Sequence, residues 1–92
     1  MTPVVLEVPR MLRDCTEGRP SVAIEADRLG AVREAIRSRW PLLATHVFAE
    51  SGALRPHVLL LHNDRLVLRG PPDDVRLDAG DRLTIVQAVS GG

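Results

Sequence analysis

The chain has 92 residues, 45% hydrophobic and 26% charged, enough for one hydrophobic core and too little for two, so residues 1–92 read as a single domain. Twelve basic residues, all arginine, balance twelve acidic ones to a formal net charge of zero, which excludes the basic footprint expected of a nucleic-acid binder. The apolar fraction is also too high for a disordered acidic tail.

Alternation opens the chain. Val4, Leu6 and Val8 fall on one face of a first strand over Val4–Val8, and Pro9 closes it. The mixed stretch Arg10–Pro20, with Gly18 and Pro20 near its end, reads as the loop of a wide hairpin. Ser21–Ala26 resumes the alternation with Val22 and Ile24 inward, as a second strand. The period then changes. Asp27 is a suitable helix N-cap, and Leu29, Val32, Ile36 and Trp40 recur at helical spacing, with Arg33, Glu34, Arg37 and Ser38 on the polar side; a helix over about 28–39 follows, ended by Pro41. Leu42–Pro56 has no clear period, with room for a short irregular turn of helix.

His57–His62 has the composition of a third strand, with Val58 and Leu60 inward. Asn63-Asp64 tolerates positive φ and turns the chain into a short partner strand, Arg65–Arg69, which Gly70-Pro71-Pro72 breaks. Asp78-Ala79-Gly80-Asp81 is another tight turn and leads into a last strand, Arg82–Val89, with Leu83 and Ile85 inward. The sequence closes on Ser90-Gly91-Gly92. The expected fold is α+β: a mixed sheet of four to five strands with one main helix across one face and a flexible tail over 89–92.

Residues that carry chemistry by themselves are few. Cys15 is a single cysteine in a polar segment without a neighbouring histidine and reads as inert; one cysteine cannot make an internal disulfide or build a zinc site or an iron–sulfur cluster alone. His46, His57 and His62 lack metal-ligand spacing, and His57 and His62 fall on opposite faces of one strand. There is no Gly-rich phosphate loop of the GxxxxGK[ST] type. Arg10, Arg13, Arg33 and Arg37 read as a solvated face. No signal-like or membrane-spanning run is present, the apolar stretches such as Val58–Leu61 being far shorter than the roughly twenty residues a span needs, so the expected location is the cytoplasm.

The strand–strand–helix–strand–strand order, the Asp78–Asp81 turn, the Leu83-Thr84-Ile85-Val86 strand and the closing Ala88-Val89-Ser90-Gly91-Gly92 resemble the ubiquitin-like sulfur carriers of the ThiS/MoaD family over essentially the whole chain. The resemblance implies a β-grasp fold with the first and last strands side by side and parallel. It implies a protein co-substrate rather than an enzyme. The carboxylate of Gly92 is adenylated by a MoeB/ThiF-type enzyme, which uses ATP and Mg, and is then converted to a thiocarboxylate that donates sulfur. Gly91 and Ser90 give the tail access to a narrow channel, and the carrier itself holds no cofactor. The acceptor is a synthase: cysteine synthase, a thiazole-synthase-like enzyme or the molybdopterin synthase large subunit.

The opening Val8-Pro9-Arg10-Met11-Leu12-Arg13, with Gly18 and Ser21-Val22, is similar to carriers that feed cysteine synthesis in actinobacteria. Carriers for cysteine or secondary-metabolite synthesis therefore rank ahead of the molybdopterin synthase small subunit. A ubiquitin-like modifier that joins its glycine to amines, and a plain interaction module with an idle tail, remain as further classes. Alternation leaves Leu59, Leu61, Val86 and Ala88 on the outer sheet face, an apolar patch that marks a partner surface unless Leu42–Pro56 folds over it. In the family that face and the tail dock the activating enzyme, which brings Val89 into the expected surface.

Overall fold

The computed structural model describes residues 2–67 and 75–87. Its elements are β1 (Pro3–Glu7), a 3-10 helix (Arg10–Thr16), β2 (Ser21–Glu25), α1 (Leu29–Arg39), α2 (Pro41–Val47), β3 (Val58–His62), β4 (Arg65–Val67) and β5 (Arg82–Gln87). The five strands form one mixed sheet in the order β2-β1-β5-β3-β4. β1 and β5 run parallel at its centre, with Leu6 beside Leu83, and every other pairing is antiparallel. This is the β-grasp arrangement that the resemblance implied.

The alternating residues produce a sheet with two unlike faces. Val4, Leu6, Val22, Ile24, Val58, Leu60, Leu83 and Ile85 are all buried on the inner face, where Leu29, Val32 and Ile36 of α1 pack against them. Burying a side chain of this kind contributes roughly 1.5–3 kcal/mol, so this single layer of contacts dominates the folding free energy.

Four local expectations are corrected. Arg10–Pro20 is not an open loop, because Leu12 and Thr16 of the 3-10 helix are buried and the Thr16 hydroxyl lies 3.1 Å from the Arg13 carbonyl and 2.9 Å from that of Arg19. Cys15 accordingly packs half-buried against the core instead of sitting in a polar loop. Arg28, not Asp27, caps α1, and no side chain closes that end. The backbone does the job: the Leu29 N–H donates to the Val75 carbonyl at 3.0 Å, while the Leu77 N–H donates to the Asp27 carbonyl at 3.0 Å. Leu42–Pro56 opens with the regular helix α2. Pro41 both ends α1 and starts α2 at its first turn, where a missing N–H costs nothing.

Smaller boundary shifts follow the same pattern. β3 begins at Val58, leaving His57 in the preceding turn, and β5 is described to Gln87. β4 is described as Arg65–Val67; the expected remainder, Leu68 and Arg69, and the Gly70-Pro71-Pro72 break lie outside the described residues. Asn63 and Asp64 both take positive φ, 48° and 74°, which makes the two-residue turn joining β3 to β4 the kind that matches the twist of a hairpin. Gly80 sits at φ 86° in the turn before β5. Among the described residues, no helix is long and apolar enough to cross a membrane.

Candidate functional site

The outer face of the sheet is where the chain departs from a simple core-and-shell design. Cross-strand register places Leu59 opposite Val86, and Leu61 opposite both Thr84 and Leu66. Leu59 and Val86 are each 36% exposed and Leu66 is 58% exposed, whereas Leu61, enclosed between its two neighbours, is half-buried. Leu66 was not singled out by alternation alone. Counting back across the Asn63-Asp64 turn pairs it with Leu61 and would have found it.

The segment that could have covered these side chains lies on the other side. Leu43, Val47, Phe48 and Leu54 of the 41–54 stretch join the inner core, and Val47 and Phe48 face the same narrow apolar space as Leu6, Leu60 and Ile85. Among the described residues, the Leu59–Val86 surface stays open. An apolar strip on a sheet face is expensive to leave in water and commonly marks a partner surface. It also lies beside the last described residue of β5, because Val58 pairs with Gln87. Ala88, Val89, Ser90, Gly91 and Gly92, the rest of the expected surface and reactive tail, lie outside the described residues.

The opposite end of β5 is polar and fully engaged. Asp81 accepts from the Asp78 backbone N–H at 2.9 Å and from Asn63 Nδ2 at 2.9 Å, and His62 Nε2 lies 2.8 Å from its Oδ2. These donors favour the carboxylate, so the Asp81 pKa falls from 3.8 to about 2, with the Asp78 N–H the largest cause, followed by His62 and Asn63. Next in the strand, the Arg82 N–H donates to Asn63 Oδ1 at 2.8 Å, and its guanidinium reaches Asp64 at 2.9 Å and Glu7 at 3.3 Å. Thr84 donates to Glu7 Oε1 at 2.7 Å. The network ties β1, the β3–β4 turn and the start of β5 together. Its side chains are engaged with one another as a structural staple.

The same holds for the other residues with chemical potential. Among the described residues, no three His, Cys, Asp or Glu side chains gather as metal ligands. Arg13 is partly withdrawn from the expected solvated face, donating through Nε to the Val8 carbonyl at 3.1 Å. What the arrangement can do is present an apolar surface on the outer face of β3, β4 and β5.

Residues 6–92 match the model of the ThiS family. Among solved structures, CysO of Mycobacterium tuberculosis, described as an antigen, is 30% identical, with 94% of this chain and 99% of that one covered at a TM-score of 0.81. The BexX/CysO complex of Amycolatopsis orientalis matches at 27% identity, 97% and 99% coverage and a TM-score of 0.83. SAMP1 of Haloferax volcanii matches at 26% identity, 98% and 99% coverage and a TM-score of 0.78. No curated protein sequence gives a significant match. The match over nearly the whole length, together with the parallel pairing of the first and last strands, shows that this chain belongs to the ThiS family of ubiquitin-like sulfur carriers.

Proposed function

We propose that the chain carries sulfur on the carboxylate of Gly92. The observation that supports this most is the Leu59–Val86 surface, open among the described residues and beside the last described residue of β5, in a family member whose sequence continues to Ser90-Gly91-Gly92. A carboxylate is a poor electrophile. Attack of its oxygen on the α-phosphorus of ATP releases pyrophosphate and leaves an acyl-adenylate; sulfide then attacks the acyl carbon and expels AMP, and loss of the S–H proton leaves the thiocarboxylate. Gly91 and Gly92 have no Cβ and can follow whatever backbone path a narrow active site imposes, with Ser90 the last small residue before them. ATP and its Mg belong to the activating enzyme, and the carrier serves as a co-substrate.

In this reading Leu59, Leu61, Val86, Ala88 and Val89 dock a MoeB/ThiF-type activating enzyme and then a sulfur-accepting synthase. The likeness to two CysO structures, one of them in complex with BexX, favours an acceptor in cysteine or secondary-metabolite synthesis over the molybdopterin synthase large subunit. The likeness to SAMP1 keeps a second reading, a modifier that transfers its glycine to amines. Both readings begin with adenylation. The test is exchange of labelled pyrophosphate into ATP by an activating enzyme of this type. We expect exchange that depends on the chain and disappears when Gly92 is deleted; exchange that survives the deletion would overturn the assignment of Gly92.

A further inference from the structure

The helical layer carries a groove of about 440 Å³ between α1, α2 and the turn over Ala49–Ala53. Its apolar lining is Pro41, Ala44, Phe48 and Ala49, and its charged lining is Arg37, Arg55 and Glu50. Arg55 is anchored there, because its Nε donates to the Thr45 carbonyl at 2.6 Å and so fixes the plane of the guanidinium. Arg37 is exposed and makes no hydrogen bond or ion pair among the described residues. Arg33 stands one turn earlier on α1, a like-charge spacing that works against the helix and that a bound anion would relieve. Its guanidinium carbon lies 3.6 Å from where a Cβ on Gly52 would stand, in the same turn that borders the groove.

We infer that this groove docks an acidic, partly apolar segment of a partner protein, with carboxylates on Arg37 and Arg55 and an apolar side chain over Ala44 and Phe48. The formal net charge of zero conceals the asymmetry that selects such a segment. From Leu29 to Arg55 the chain has four arginines against Glu34 and Glu50, whereas the remaining residues hold eight arginines against ten acidic residues. Arg39, one of the four, is turned to the Ala23 carbonyl at 3.1 Å, which leaves Arg33, Arg37 and Arg55 around the Ala49–Ala53 turn. Trp40 and Phe48 are the chain's two aromatic residues, and at 7% and 8% exposure neither offers a ring for base stacking, which favours a peptide over a single-stranded nucleic acid. Glu50 opposes the incoming carboxylates and keeps the affinity low. The groove belongs to the helical side of the sheet, so docking there leaves Leu59 and Val86 uncovered and lets the chain hold two proteins at once. It requires no activation of Gly92.

The test is a titration of the isotope-labelled full chain, followed by its amide NMR shifts, with the end-blocked peptide Glu-Leu-Asp-Leu-Glu up to about 1 mM, the weak end of specific binding. Saturable shifts are expected at Arg37, Thr45, Ala49, Glu50 and Arg55. Arg37→Glu should raise the dissociation constant roughly tenfold, and Glu50→Gln should lower it about threefold. Both residues are exposed, so both variants should keep the parent's unfolding midpoint. Leu59→Asp should leave the affinity unchanged, and the peptide with its acids replaced by amides should not saturate. No saturation by the acidic peptide, shifts confined to the Leu59–Val86 face, or an affinity indifferent to Arg37→Glu would each overturn the inference. Tighter binding of a thymidine oligonucleotide of equal charge would overturn it as well.

Discussion

At its start, β5 is tied to three neighbouring segments by bonds from Asp81, Arg82 and Thr84, whereas at its other end Val86 stands beside Leu59 on an open apolar surface. One strand thus carries a fixed end and a presenting end. The inner residues Leu83 and Ile85 are 0% and 2% exposed and hold both ends on the same core. Gln87 belongs to the presenting end: its Oε1 is buried and finds no hydrogen-bond partner among the described residues. The two ends of the strand divide the work. Side-chain hydrogen bonds fix the start of β5, whereas its far described end is held by the backbone ladder to β3 and turns Val86 outward beside Leu59.

This division can be broken first at the shared core. Leu83→Ala removes a fully buried side chain from the central strand and should cost about 2–5 kcal/mol in urea unfolding. Val86→Asp lies three residues further along, yet should change stability by no more than about 1 kcal/mol. Its effect should appear in binding: a charge set into the docking surface beside Leu59 is expected to weaken the complex with an activating enzyme by roughly thirtyfold or more, about 2 kcal/mol, measured by calorimetric titration. If Val86→Asp instead destabilised the fold as much as Leu83→Ala, the distinction between the two faces would fail.

The fixed end gives a smaller effect with a pH signature. Asp81 has its pKa lowered from 3.8 in the ordinary carboxylate to about 2. A group whose pKa is lower in the folded state contributes its full stability above the unfolded value, and that contribution is lost as pH falls from about 3.8 toward 2. Asp81→Asn keeps the shape but removes the charge that the Asp78 N–H, His62 and Asn63 address. It should cost about 1–2 kcal/mol at pH 7 and flatten the stability profile between pH 4 and pH 2. A profile as steep as the parent's would mean that other carboxylates govern acid unfolding.

The sequence made the inner face legible because period-two alternation and burial are the same fact for a strand with one solvated side, as Val4, Leu6, Val22 and Ile24 illustrate. The outer patch could be read as its complement, with Leu59 and Val86 where alternation puts them. The polar staple could not be read. His62 and Asp81 are 19 positions apart and meet only because β3 and β5 pair in one register, which no local pattern specifies. The second helix is hidden for a related reason: Pro41 is a stop signal for the helix before it, and its equal fitness for the first turn of a new helix depends on Trp40 bridging the two, with its N–H on the Ile36 carbonyl and its carbonyl on the Ala44 N–H. Asp27 failed as a cap because a distant segment, Val75–Leu77, supplied the backbone partners first.

The absence of lysine sharpens one consequence of the proposed chemistry. An acyl-adenylate at Gly92 finds no ε-amine on this chain or on another copy, which leaves the N-terminal amine as the one amine of the carrier that can compete with sulfur. Sulfur loading of Gly92 is read from the intact mass of the full chain after incubation with a MoeB/ThiF-type activating enzyme, ATP and a sulfide source. A gain equal to the difference between one sulfur and one oxygen is expected in the parent chain and is lost when Gly92 is deleted. No gain with several such enzymes, or the same gain without Gly92, would contradict it.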